Sequence, residues 1–221
     1  MLTEEKINLN YLNFISKLRK YNCYPPKMEH DNEFNVMLAN ASAFTKEDTG
    51  GAYAGSLIEH ITRIAVIAHS INEKLSEEVK VPIESLIKVC YLHQISKCKM
   101  IIENTVQFEI KKGKLFTFID DVPALKCGEY SAYICAKYGI DLTEDEYEAI
   151  LSIDKRDDDQ TKGFGCMLGQ ILRASIDLAN TERKLKSFTN RLKNADRSMA
   201  PCSAAKAPYT NTKPSALPSI P

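Results

Sequence analysis

The sequence predicts an all-α fold: a helical bundle carrying one small β-hairpin and ending in an extended Pro-rich tail. Three observations carry this. Apolar residues recur at helical spacing over several long stretches. Capping residues and prolines stand where those stretches begin or end. Alternation of apolar with polar residues is confined to one segment. The organisation that follows is an N-terminal helical segment over 1–48, a helical domain over 49–194 and a tail over 195–221.

In the first stretch Ile7, Tyr11, Phe14, Ile15 and Leu18 share a helical face, with Glu4 and Glu5 in the first turn where the dipole favours acids. Pro25-Pro26 is expected to end that helix. A short helix near Glu33 to Ala43 and a loop at Thr49-Gly50-Gly51 follow. Ser56 to Leu75 is the clearest helix, striped by Leu57, Ile61, Ile64, Ala65 and Ala68. His60 lies on that stripe, and His69 lies about half a rotation away at roughly 100° per residue, so the two cannot serve one site. Pro82 opens the next helix, with Ile83, Leu86, Ile87, Cys90 and Gln94 at core spacing and His93 beside them. Val106 to Phe118 alternates on both sides of Lys112-Gly113-Lys114 and reads as the hairpin. Glu129 to Tyr138 is helical, Thr143-Glu144-Asp145-Glu146 is a capping box that starts another helix, and a long helix runs from about Gly165 to Lys193. The run Asp154 to Asp159 reads as a solvated loop, without the alternating ligands and glycine of an EF-hand.

Lys+Arg and Asp+Glu are both 29, so the net charge is zero. A general nucleic-acid or membrane-surface binder needs a basic excess, so neither partner is expected. Seven cysteines are scattered without CxxC pairing, and Leu2 to Lys20 is charged and amphipathic rather than a short apolar leader. A soluble protein of a reducing compartment is expected, with Cys90, Cys98 and Cys135 as small buried hydrophobes. Five of the nine prolines follow Asn194: Pro201, Pro208, Pro214, Pro218 and Pro221. Such a segment cannot bury enough surface to fold alone, and is expected to lie extended on partner subunits.

Several segments, in order over residues 50–180, resemble a known family. Gly51-Ala52-Tyr53-Ala54-Gly55-Ser56-Leu57-Ile58-Glu59-His60 is similar to the "GAYxGGLxEHS" of HD-domain hydrolases of bacteria and phages. Tyr91-Leu92-His93-Gln94-Ile95-Ser96-Lys97 resembles their "LLHDLCK". Asp120-Asp121-Val122-Pro123 with Cys127-Gly128-Glu129 resembles "DDKFPLGHGE", and Leu142 to Glu146 with Ala149-Ile150 resembles "LTxEEALAIRWH". Ile176-Asp177 resembles the "AD" that closes the metal site.

The resemblance implies a helical bundle converging on one or two divalent metals that activate water against a phosphoester. His60 and His93 match the two histidines and Asp177 the final aspartate. Gln94 replaces the aspartate of the HD pair, and a neutral amide supplies no charge and cannot act as a base. Two further family histidines fall at Cys127 and near Ile153 or Asp154. Lys97 matches a lysine kept near phosphate and is a possible anion contact, or else a solvated helix end. His60, His93, Cys127 and Asp177 together have the ligand types of a tetrahedral zinc site. Against that stands a vestigial pocket of hydrogen-bonded core histidines, with Asp177 paired on its helix to Arg173 or Lys184.

The expectation is therefore a catalytically inactive HD-like protein with no bound metal and no cofactor. It would contact protein subunits of the same or another kind, partly through its tail, in a larger assembly such as a phage connector or ring. The alternatives are a metal-dependent phosphohydrolase that tolerates Gln94, and a nucleotide sensor that keeps the pocket and Lys97.

Overall fold

A computed structural model describes residues 2–121, 123–154 and 165–198 of the chain. It is mostly helical, with α1 (Glu4–Lys20), α2 (Pro26–Glu29), α3 (Asn32–Asn40), a 3-10 turn (Glu47–Thr49), α4 (Ser56–Lys74), α5 (Ile83–Leu92), α6 (Lys97–Met100), β1 (Ile101–Glu103), α7 (Gln107–Lys111), β2 (Phe116–Phe118), α8 (Cys127–Tyr138), α9 (Glu144–Ser152) and α10 (Met167–Ser198). The tail beyond Ser198 and most of the acidic run, Lys155 to Asp159, lie outside the described residues.

α4 is the central element, packed by α1, α3, α5 and α10. Its predicted stripe of Leu57, Ile61, Ile64, Ala65 and Ala68 is fully buried, with Ile58 beside it. α8 and α9 pack on each other and on α5, and α10 spans α4, α5 and α9. The first segment is not separate in packing terms: Phe14, Leu18, Phe34 and Leu38 join the same core as α4 and α5. Phe14 meets Tyr91, and Phe34 meets Tyr138, each with ring centres 5.0 Å apart. Cys90, Cys98 and Cys135 are buried in that core as small hydrophobes. Buried Asn72 at the end of α4 accepts from the Val81 N–H and donates to its carbonyl, which sets the turn into α5. The Thr143 capping box is present, and its Glu146 also accepts from Lys88 at 2.8 Å, binding α9 to α5. No helix of the described residues is long and apolar enough to cross a membrane.

Three boundaries differ from the sequence reading. α1 stops at Lys20, before the prolines, because Asn22 takes a left-handed φ of 54° that a helix cannot continue. Pro26 instead starts α2 at the position where a missing N–H costs nothing. The hairpin strands are Ile101–Glu103 and Phe116–Phe118, antiparallel with Ile102 opposite Thr117, while 107–111 is helical. Alternation over Val106 to Ile110 misled because those side chains do not alternate in burial: Val106 and Phe108 are both exposed. Buried Asn104 redirects the chain there. Its carbonyl oxygen accepts from Val106 N–H, and its amide donates to Glu109 and to the Lys114 carbonyl.

Asn104→Ala leaves the Lys114 carbonyl without this donor and is expected to cost about 1–3 kcal/mol. Urea denaturation measures it, and an unchanged midpoint would show that the turn does not depend on Asn104.

Candidate functional site

The loop from Ala43 to Gly51 is clasped at both ends by Ser56, the first residue of α4. Its hydroxyl donates to the Gly51 carbonyl at 2.6 Å and accepts from Ala43 N–H at 2.9 Å. The clasp lays Phe44 against His60, edge to face, with ring centres 5.0 Å apart. A Cβ at Gly51 would stand 2.5 Å from the Phe44 ring, so only glycine leaves room for it. Two cations address the same ring: the Arg183 guanidinium at 3.5 Å and the Lys97 ammonium at 5.1 Å from its centre. A desolvated contact of this kind is worth about 2 kcal/mol.

Arg183 comes from α10 and is held by the Thr49 carbonyl and by Asn180 Oδ1 at 3.0 Å. Its Nε is buried with no hydrogen-bond partner among the described residues. Burial pulls its pKa below the usual arginine value. Lys97 donates to the Ala43 carbonyl at 3.1 Å, and burial pushes its pKa down. Cys127 and Asp154 pull it back up, while Arg183 adds to the fall. Lys97 is thus turned onto the loop and the ring, not onto solvent.

His93 ends α5 fully buried, and its Nδ1 lies 2.8 Å from the Cys90 carbonyl. A carbonyl only accepts, so Nδ1 carries the proton and Nε2 is a bare acceptor. That Nε2, the Nε2 of His60 and the Oε1 of Gln94 are all buried without a partner among the described residues. Burial drives His60 down to about 2, helped by the charges of Lys97 and Arg183. Burial likewise drives His93 to about 3, against the pull of the Cys90 carbonyl. Both imidazoles are neutral at any ordinary pH.

Cys127 opens α8. Ser96 Oγ donates to its carbonyl at 2.8 Å and lies 3.4 Å from its Sγ, with Ser131 behind at 3.0 Å. Burial raises the thiol pKa, and Lys97 opposes the rise. Asp154 accepts from Gly128 N–H at 2.5 Å. A Cβ on Gly128 would stand 2.4 Å from the Ile150 carbonyl, so this glycine is required by the approach of α8 to the end of α9. Burial raises the Asp154 pKa. Of the two candidate positions for the last family histidine, Asp154 is the one electrostatically coupled to Lys97 and Cys127. Asp177, by contrast, lies on an exposed face of α10, away from the buried histidines.

These residues do not suit a divalent cation. Both neutral imidazoles lie in the field of Lys97, and His60 also in that of Arg183, positive charge that repels a cation. Among the described residues no group of three or more His, Cys, Asp or Glu side chains comes together to hold a metal ion. The grouping of His60, His93, Cys127 and Asp177 as a zinc site therefore has no geometric support.

Outside Phe44 lies a cleft of about 1130 Å³ between the 44–51 loop, the 109–114 turn, α4 and α10. Phe44, His60 and Arg183 line it. Arg63 and Lys186 there are paired to Glu182, and Lys114 to Glu109. Phe44 and Arg183 were not found from the sequence. Arg183 had a signal: it continues the buried series Ser175, Ala179 at intervals of four, where a charged residue is out of place. Phe44 sits in a loop with no periodicity and had none. No family model matches this chain, and neither does any curated protein or solved structure.

The histidines set an acid limit on stability. Their folded pKa values lie below the unfolded value of about 6.5, so the unfolded chain binds more protons at acid pH. Their contribution is complete above about pH 6.5 and declines as pH falls towards 3, by roughly 2–3 kcal/mol per pH unit for the pair. Urea melts between neutral and acid pH measure this slope, and His60→Gln should lower it by about half. A slope unchanged by His60→Gln would contradict a neutral buried His60.

Proposed function

We propose that this chain is an HD-like helical protein that does not hydrolyse phosphoesters and works by binding other protein subunits. The observation that carries the reading is the sign of the charge at the pocket. Lys97 and Arg183 stand beside His60 and His93, on either contact of one aromatic ring, where metal-dependent hydrolysis needs carboxylates. Gln94 supplies no charge, and Asp177 faces outward. The likeness of residues 50–180 to proteins carried by tailed phages points to a connector or ring of a virion as the assembly.

A second reading has one observation behind it. The guanidinium of Arg183 opens on a cleft of about 1130 Å³ and, among the described residues, has carbonyl and amide partners but no carboxylate. A phosphate-bearing small molecule suits such a group. Calorimetric titration with a nucleoside triphosphate tests this: heat that Arg183→Gln abolishes supports a sensor, and no heat removes it.

The main reading is tested by elemental analysis and phosphoesterase assay with added manganese. Purified protein is expected to carry no stoichiometric transition metal and to show no activity above background. Gln94→Asp should create neither, because the two cations remain. Stoichiometric metal with turnover in the unaltered chain would overturn the reading and restore the hydrolase.

A further inference from the structure

Helix α10 has two apolar faces, and only one is used. Leu168, Leu172, Ser175 and Ala179 are buried against the body. At about 100° per residue, Ala174, Leu178, Thr181, Leu185 and Phe188 fall on a second arc, roughly 130° round the helix from the first. All five are exposed, with Leu178 at 52%, Leu185 at 61% and Phe188 at 55%. Singly exposed apolar residues are ordinary, but an aligned row of them marks a contact surface.

The spacing says what kind of partner fits. Leu178 and Leu185 stand seven residues apart, and Ala174, Thr181 and Phe188 form a second series at the same interval, interleaved with the first. This is the repeat by which one helix packs along another. Among the described residues, Ser187 bonds the Asp48 carbonyl from the inner side of the helix, opposite the exposed row.

The flanking charges select the partner and its direction. Asp177 and Lys184 are both exposed on the same edge of the stripe. In an antiparallel pair of identical helices, Ala174 faces Leu185, Leu178 faces Thr181 and Asp177 faces Lys184, each contact made twice about a two-fold axis. Small residues then meet large ones and opposite charges meet. In a parallel pair Asp177 would face Glu182, a like charge, and Glu182 is already engaged by Arg63 and Lys186.

We infer that a second copy of this chain pairs antiparallel with it along the outer face of α10, through Ala174, Leu178, Thr181, Leu185 and Phe188. The pairing names one partner within the interaction reading, but it rests on the helix and not on the state of the pocket.

Sedimentation equilibrium of the full chain tests it. A dimer is expected. Leu185→Glu should give a monomer with unchanged circular dichroism and a thermal midpoint that no longer rises with protein concentration, since Leu185 is 61% exposed and outside the core. Lys184→Asp should raise the dimer Kd by about tenfold, and adding Asp177→Lys should return it to the starting value. A monomer at every concentration overturns the proposal, and so does a dimer that Leu185→Glu leaves intact. Failure of the double variant to restore affinity overturns the antiparallel pairing. A monomer would also leave the outer face to the chain's own tail or to a different protein, while the metal and activity results would stand on their own.

Discussion

The guanidinium of Arg183 on one contact of the Phe44 ring, the ammonium of Lys97 on another and the edge of His60 on a third set the chemistry of the pocket. Much of the local sequence serves that stack. Gly51 leaves space for the ring, Ser56 clasps the loop that carries it, and the Ala43 carbonyl accepts a hydrogen bond from Lys97. The electrostatic result follows directly. Burial disfavours charge on both imidazoles, Lys97 adds to the fall at each, and Arg183 adds to it at His60. A bound divalent cation would meet the same field. The site has the shape of a centre where helices converge and the charge of one that repels metal.

The surroundings are built to keep this arrangement fixed. α4 holds His60 on its buried stripe, and α5 ends on His93 with its tautomer set by the Cys90 carbonyl. α10 supplies Arg183 from the turn just past its last core contact, Ala179. The helix therefore does two jobs at different positions: its inner face fills the bundle and completes the stack, and its outer face is left apolar and exposed.

The bundle was legible because its helices are periodic. The stripe of α4, the core positions of α5 and the Thr143 capping box each follow from local rules that the fold obeys. The hairpin was legible in kind but not in place, because Asn104 side-chain bonds, invisible to an alternation rule, turn the chain early. His60, His93 and Gln94 could be named from their neighbours in sequence; each is buried, with a polar atom that has no partner among the described residues. Asp177 could not be placed that way: a long helix offers every direction, and its burial pattern assigns that position to solvent. Phe44 and Arg183 lie 139 positions apart in the chain, and their meeting depends on how α10 crosses α4. No local pattern encodes such a contact.

The most direct test of a self-charged pocket is a crystal grown with manganese and measured at the metal's absorption edge. The anomalous map should show no peak within reach of His60 Nε2 and His93 Nε2, with the Phe44 ring in place between Arg183 and Lys97. A manganese peak on the two histidines, with Phe44 displaced and the cations turned away, would contradict it.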